Sequence, residues 1–465
     1  MKIVSSAGVS ISYILGTGTI VAQNSTSLTL SGVTTSDYTG PTSKISIISG
    51  FTIITPPSSR PFTFTYTTYN VSGGISYGIE STTVTIHCST GTISTASLTA
   101  NSYAVNAVTK YVISFNTANG LIAGSYIGIT FPAYTAITLA STCLCSNGVV
   151  GCTVSSTSFA NLTVSGAVVA GTTLTITFNS VTNPNQVMTT ASFTIYTYYD
   201  SGLDSIVDTL TSGLTLTSIP NQIVSMTVTP ASMITYALTS YTIDCTLADP
   251  IPTGGNIAIT FPTAVTFGSL SLTSTSFTNT TCTLTILSNL VTISSCFTSS
   301  VTNLTITLVF ANIYNPPSFQ TTNSFLMYTY GALGEVDYLT SGVTLTMTIP
   351  ATSSAFTVTP LSQTVHSTTQ YTLSITTTVP HTTGNYFTLS IPSSMAFSGP
   401  VCSPVSGIAS ITCLLSNSTS LVVTFGSTPT ASTIVIAVTS IRNYDISSTA
   451  VSFQLFFFST NSYIM

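Results

Sequence analysis

Apolar and polar residues alternate along almost the whole chain. Ile127-Gly-Ile-Thr-Phe131, Leu174-Thr-Ile-Thr-Phe178, Ile257-Ala-Ile-Thr-Phe261 and Val422-Val-Thr-Phe425 are typical stretches. A period of two carried by Val, Ile, Thr, Tyr and Phe predicts half-buried strands, each with one face toward a core. Glu, Lys, Gln and Arg are too sparse to build long helices. Turn signals from Gly, Pro and Asn break the pattern roughly every ten residues, the spacing of a sandwich. The pattern predicts an all-β fold.

The alternation is organised by a long repeat. Ser324–Pro350 (SFLMYTYGALGEVDYLTSGVTLTMTIP) matches Ser192–Pro220 (SFTIYTYYDSGLDSIVDTLTSGLTLTSIP). A degraded copy covers Pro61–Ser89, and half of another covers Ser452–Met465. Phe62, Phe193, Phe325 and Phe453 mark the register, a unit of about 130 residues. Each full unit has a tyrosine strand opening at Tyr111, Tyr241 or Tyr371, then a strand ending at Pro132, Pro262 or Pro392. Proline cannot donate to a ladder, so it belongs at a strand end. Asn-Pro junctions around Pro184 and Pro316, and RNYDIS in the last copy, suit corners between sheets.

These landmarks predict tandem sandwich domains of about 130 residues with incomplete terminal copies: 1–90 partial, 91–220, 221–350, and 351–465 lacking its last strand. Leu28-Thr-Leu-Ser-Gly32 aligns with Leu162-Thr-Val-Ser-Gly166, which puts Met1 just beyond the place of the first Pro-terminated strand. An unfinished sandwich exposes an apolar groove and unpaired edges.

Charge narrows the functional classes. The 465 residues include five Lys or Arg and ten Asp or Glu, a formal net charge of −5. Lys2, Lys44, Arg60, Lys110 and Arg442 are scattered, which excludes a phosphate-binding surface and with it nucleic acid. Mean hydropathy is positive, yet no uninterrupted apolar run reaches the length of a membrane-spanning helix. Met1–Gln23 lacks the apolar block of a secretion signal. Val9, Ile11, Tyr13 and Leu15 within it read as a strand.

Each full unit carries a local cysteine pair: Cys143 or Cys145 with Cys152, Cys282 with Cys296, and Cys402 with Cys413. Their recurrence predicts hairpin disulfides and an oxidising compartment. Cys245 aligns with Phe115 and Ile375 and reads as a core side chain, while the partner of Cys88 stays open. No metal site is expected from the cysteines, since Cys143-Leu-Cys145 lacks a second pair or a neighbouring His. Glu80, Asp208 and Asp337 share one position of the repeat, joined by Asp200 and Asp204 in the second copy. Ca2+ is one reading of them, and a charge that guards a solvent-facing hairpin against mispairing is the favoured one. His87, His366 and His381 are isolated, so no catalytic site and no cofactor are expected. Glycosylation sequons at Asn24, Asn70, Asn161, Asn279, Asn303 and Asn417, together with Ser/Thr-rich faces, suggest covalent glycans as the source of solubility for so uncharged a surface.

The Phe-Pro strand, the cysteine hairpin and the Asn-Pro junction resemble the tandem immunoglobulin-like β-sandwich repeats of surface and filament proteins. The unfinished ends resemble donor-strand-complemented pili. This resemblance implies an extracellular, glycosylated, non-enzymatic subunit that polymerises head to tail with copies of itself. Val9, Ile11, Tyr13 and Leu15 would then meet the open last sandwich of a neighbour, and Phe453, Leu455 and Phe457 the incomplete first one. A cell-surface adhesin or stalk is the alternative, with Tyr196, Tyr198, Tyr199, Tyr328 and Tyr330 stacking on sugars.

Overall fold

A computed structural model describes residues 58–465 apart from 73–74, 140–141, 147–148, 277–281, 301–303 and 445–450. A few strand residues are described by backbone alone. Of residues 1–57 it describes the strand backbones Lys2–Ser5, Ser10–Tyr13, Thr19–Asn24, Ser27–Ser31 and Phe51–Ile54. Every regular element among the described residues is a strand, as the alternation requires. No helix among the described residues is long and apolar enough to cross a membrane.

The strands pair into immunoglobulin-like sandwiches. Sandwich 1 sets Tyr126–Thr130 at the middle of one sheet, between Phe159–Val164 and Thr194–Tyr198, and packs it on a second sheet built around Val108–Asn116 and Thr173–Thr182. Sandwich 2 repeats this with Asn256–Thr260 at the middle of one sheet, and with Leu238–Thr246 and Thr305–Tyr314 in the other. Sandwich 3 does so with Tyr386–Ser390 and with Thr368–Thr376 and Thr433–Arg442. Period two puts Tyr111, Ile113 and Phe115 inward, and likewise Tyr241, Ile243 and Cys245, then Tyr371, Leu373 and Ile375. Each sandwich has its own apolar core. The chain divides into two compact units, Met1–Ile219 and Pro220–Met465.

The N-terminal module shows one departure from the sequence reading. Lys2–Ser5 lies between Ser27–Ser31 and Phe62–Ser72, with Ile3 opposite Leu28, just as Ile127 lies opposite Leu162. Lys2–Ser5 therefore holds the place of the strand that this copy was expected to lack. Lys2-Ile3-Val4-Ser5 has no Phe-Pro ending, so the landmark that dates the other copies is missing.

One polar device recurs in all three sandwiches. The Tyr111 hydroxyl donates to Asn183 Oδ1 at 2.6 Å, and Asn183 Nδ2 donates to the carbonyls of Ser102 and Ala104. Tyr241 with Asn315 bonds Ser232 and Ile234 in the same way, and Tyr371 with Asn443 bonds Ser362 and Thr364. The Asn at each junction thus fastens the loop before the tyrosine strand to the far end of that strand's partner. The same loop carries a left-handed residue each time, Asn106, Tyr236 and His366, with φ of 53°, 55° and 58°. Non-glycine residues hold such angles only where surrounding bonds fix them.

Asn315→Ala removes the acceptor of a buried tyrosine hydroxyl and the donor to two carbonyls. It should cost roughly 3 kcal/mol or more, against roughly 1–2 kcal/mol for Tyr241→Phe, because unmade buried bonds cost more than absent ones. Urea denaturation of the two variants checks this; equal losses would mean that the asparagine does not hold the loop.

Candidate functional site

The three sandwiches differ most at one edge. In sandwich 1 the strand Thr194–Tyr198 is followed by Ile206–Leu210, which pairs beside it. The chain then returns as residues 214–219. Phe193 and Thr190 donate to the carbonyls of Leu214 and Leu216, and Val105 donates to that of Ile219. Sandwich 2 does the same with Glu335–Leu339 and residues 343–349, through Phe325, Thr322 and Thr235. Alternation turns Leu214 and Leu216, then Leu345 and Met347, into the core.

In sandwich 3 the corresponding sheet has four strands in place of six. Gln454–Phe458 pairs with Tyr386–Ser390 on one side, and on the other meets a short return through the Phe458–Ile464 bridge and the Met465 N–H bonded to the Phe457 carbonyl. No described segment lies where residues 214–219 and 343–349 lie in the other two. In their place is a cavity of about 430 Å3, lined by Phe356, Val358, Tyr371, Val451 and Phe453, with Gln363 and Asn443 at its rim. Val105 and Thr235 are 0% and 1% exposed under the returning segment, whereas Val365 at the same position is 39% exposed. This groove is lined by both apolar side chains and polar groups.

Beside the groove lies a second difference. Leu121 and Ile251 are core residues, and His381 takes their place. Its ring stacks on Phe457 at 4.6 Å and meets the edge of Phe425, and neither ring nitrogen has a partner. Burial lowers its pKa to about 4. A small hollow next to it, lined by Ala351, Thr378, Val379, Phe457 and Met465, corresponds to the place that Asp208 and Asp337 fill in the other sandwiches.

Those two acids are not the exposed guards that the hairpin reading expected. Asp208 and Asp337 are 0% exposed. Each pairs across a threonine, Thr197 or Thr329, and turns inward onto the loop that follows the tyrosine strand. Asp208 accepts the N–H groups of Ala118 and Asn119 and the Asn119 side-chain amide, so both of its oxygens face donors. Glu80 pairs opposite Thr68, two residues beyond the position that Thr197 and Thr329 hold after their marker phenylalanines, and is exposed. Asp200 and Asp204 hold Arg60, whose Nη2 reaches both Asp204 oxygens at 2.8 and 2.6 Å. That bond keeps Asp204 below the ordinary carboxylate range.

The cysteines pair as Cys143–Cys152, Cys282–Cys296 and Cys402–Cys413, which leaves Cys145 unbridged, together with Cys88 and a buried Cys245. Only Cys282–Cys296 is a hairpin bridge, flanking the paired strands Thr283–Leu287 and Leu290–Ser294. The other two join the two sheets, because Cys143 and Cys402 pair with one sheet while Cys152 and Cys413 belong to the opposite one.

The remaining candidate residues are dispersed. Asn417 is exposed at the turn into Ser420–Phe425, where its Oδ1 accepts the N–H and hydroxyl of Thr419. Asn161 sits half-buried within the strand Phe159–Val164, with its Oδ1 buried and unbonded, and not in an exposed turn. Asn279 and Asn303 lie outside the described residues, as do the side chains of Asn24 and Asn70. Val9 and Leu15 also lie outside them, and the backbone of Ile11 and Tyr13 pairs with Phe51–Ile54. Phe453, Leu455 and Phe457 pack, partly buried, on the core of their own sandwich, and Phe453 also lines the groove. They share the inward face of their strand, while Phe456 faces outward and is 51% exposed.

The tyrosines stack mainly on one another, Tyr196 with Tyr198 at 6.1 Å and Tyr328 with Tyr330 at 6.3 Å. Tyr198 is nearly covered and Tyr199 packs toward the sandwich 1 core. A Cβ at Gly128 would stand 2.9 Å from the Phe159 ring and 3.1 Å from that of Tyr198, so this aromatic face closes only over glycine.

No protein-family model matches the chain, and no curated protein matches it significantly. Solved structures similar to it include a putative membrane-anchored protein of Corynebacterium diphtheriae, at 10% identity over 86% of this chain and 94% of that one, with a TM-score of 0.21. The Escherichia coli adhesin FdeC is 12% identical over 78% and 90%, with a TM-score of 0.21. The N-terminal domain of the Streptococcus gordonii adhesin Sgo0707 is 8% identical over 73% and 91%, with a TM-score of 0.25. At such scores these likenesses carry no functional argument, and the fold rests on the strand pairing.

The buried His381 makes sandwich 3 sensitive to acid. Its folded pKa lies below the ordinary value, so stability is complete above about pH 6.5 and is lost as pH falls toward 4, by up to about 3 kcal/mol. His381→Leu, which restores the residue type of Leu121, should flatten this dependence. Hydrogen exchange of Tyr386–Ser390 across that range checks it, and an unchanged slope in the variant would place the sensitivity elsewhere.

Proposed function

We propose that the chain is an extracellular structural protein, without catalytic activity, that assembles head to tail into a filament by strand exchange. The observation that carries this reading is the groove of sandwich 3, together with the two internal examples of what fills such a groove: an alternating Leu/Thr segment bonded at Phe193 or Phe325 and at Val105 or Thr235. A strand of a second copy is the occupant, added to a sheet edge through backbone bonds with alternate side chains in the floor. Ser10–Tyr13, which among the described residues pairs with Phe51–Ile54 alone, is the candidate donor. Contacts of this kind do not close on themselves and so give an open fibre.

Three disulfides support an oxidising location, and the exposed Asn417 is the best-placed site for one of the covalent glycans that would keep a surface this poor in charge soluble. A cell-surface adhesin or stalk is the second reading. The paired, partly covered rings of Tyr196, Tyr328 and Tyr330 on the outer faces of their strands favour it, because aromatic faces suit sugars.

Negative-stain microscopy of the full chain at rising concentration separates the two. Strand exchange predicts long fibres with a single axial step. A tenfold excess of a peptide with the sequence of residues 341–350, SGVTLTMTIP, should fill the groove and leave short rods. Single rods at every concentration, with or without peptide, would overturn the filament and leave the stalk.

A further inference from the structure

Sandwiches 1 and 2 bury a carboxylate at the same place and differ in what faces it. In sandwich 1 the three positions are Gly91, Asn119 and Asp208. The Asn119 amide donates to Asp208 Oδ1 at 2.7 Å, and a Cβ at Gly91 would collide with both groups. In sandwich 2 the same positions hold Asn221, Asp249 and Asp337. Asp337 again accepts a loop N–H, from Asp249 at 3.2 Å, but the amide opposite its Oδ1 has become a carboxylate. Asn221 has gained a side chain, whose Nδ2 donates to Asp249 Oδ2 at 2.6 Å.

We propose that Asp249 and Asp337 bind one proton between them, and that losing it loosens the edge strand Asn221–Gln222. Asp337 is 0% exposed and Asp249 6%, and Asp337 Oδ1 has no hydrogen-bond partner. A hydrogen on either carboxyl supplies the donor that the Asn119 amide supplies in sandwich 1. The space that an amide hydrogen bond occupies suits a proton better than a cation, which needs several oxygens at 2.3–2.6 Å.

Burial pushes the Asp337 carboxyl up to about 7, with repulsion from Asp249 adding and the N–H groups of Asp249 and Ala248 opposing. The groups facing Asp337 from other elements do not titrate in this range. Thr329 and Asn221 do not ionise, and burial raises the Cys245 thiol to about 12. The sign follows from a raised carboxyl: the stabilisation is complete at acid pH and is lost as pH rises through 7. Asn221–Gln222 pairs directly with Asp337–Tyr338, so the repulsion acts on that edge first.

Hydrogen exchange of the full chain between pH 5 and 8.5, corrected for the intrinsic rate, tests the proposal. Protection of Asn221–Gln222 and Glu335–Leu339 should fall about tenfold from pH 6 to 8 relative to Ile206–Leu210, the effect of roughly one pKa unit. Asp249→Asn, which installs the sandwich 1 pair, should abolish the fall, and Asn119→Asp should import it into sandwich 1. An undiminished fall in Asp249→Asn would overturn the shared proton. So would full recovery of protection at pH 8 on adding 1 mM Ca2+, which would make the pair a cation site.

Discussion

The tyrosine–asparagine bond at the corner of each sandwich is the constraint on which the rest of the structure depends. It joins the core to the backbone in a chain with too few charges to fasten its loops by ion pairs. Tyr111, Tyr241 and Tyr371 each place a phenol within the apolar interior, where an unpaired hydroxyl is costly. The asparagine that satisfies it also fixes the two carbonyls of the loop ahead of the tyrosine strand. That loop is the bank along which residues 214–219 and 343–349 run. In sandwich 3 the same bond holds the same bank in place, and the groove keeps its form with nothing described in it.

On this fixed frame one site has been rewritten three times. Gly91 with Asn119 and Asp208 makes a satisfied amide–carboxylate pair, and Asn221 with Asp249 and Asp337 makes an acid pair with a compensating amide. Ala351 with Val379 removes the polar groups altogether and sets them beside His381 and Phe457. The result is two neighbouring sandwiches with opposite responses to pH. Acid protonates the buried imidazole of sandwich 3, and base ionises the acid pair of sandwich 2.

Much of this was legible in the sequence because sandwiches are written in period two. The strands, the 130-residue register and the tyrosine strands all follow from alternation and from prolines that end ladders. The cysteine pairs were legible in part. Nothing in the spacing of Cys143 and Cys152 distinguishes a hairpin bridge from one between sheets, because that depends on which sheet each flanking strand joins. The acids at Asp208 and Asp337 were correctly placed in register but on the wrong side of it, since a bulge beside Thr197 and Thr329 turns them inward. The inward packing of Phe457 was already implied by its alignment with Thr197 and Thr329 on a core-facing position. The Tyr–Asn bond spans about 72 residues and leaves no local pattern, although an Asn at every junction was its trace.

The placement of the disulfides has a mechanical consequence. In sandwiches 1 and 3 the two sheets cannot part at the cysteine edge without breaking a covalent bond. In sandwich 2 the bridge lies within one sheet, and no disulfide supports the side-chain packing between the two layers at that edge. Under tension along the chain, the middle sandwich is therefore the element whose layers can slide or open and close again without any chemistry.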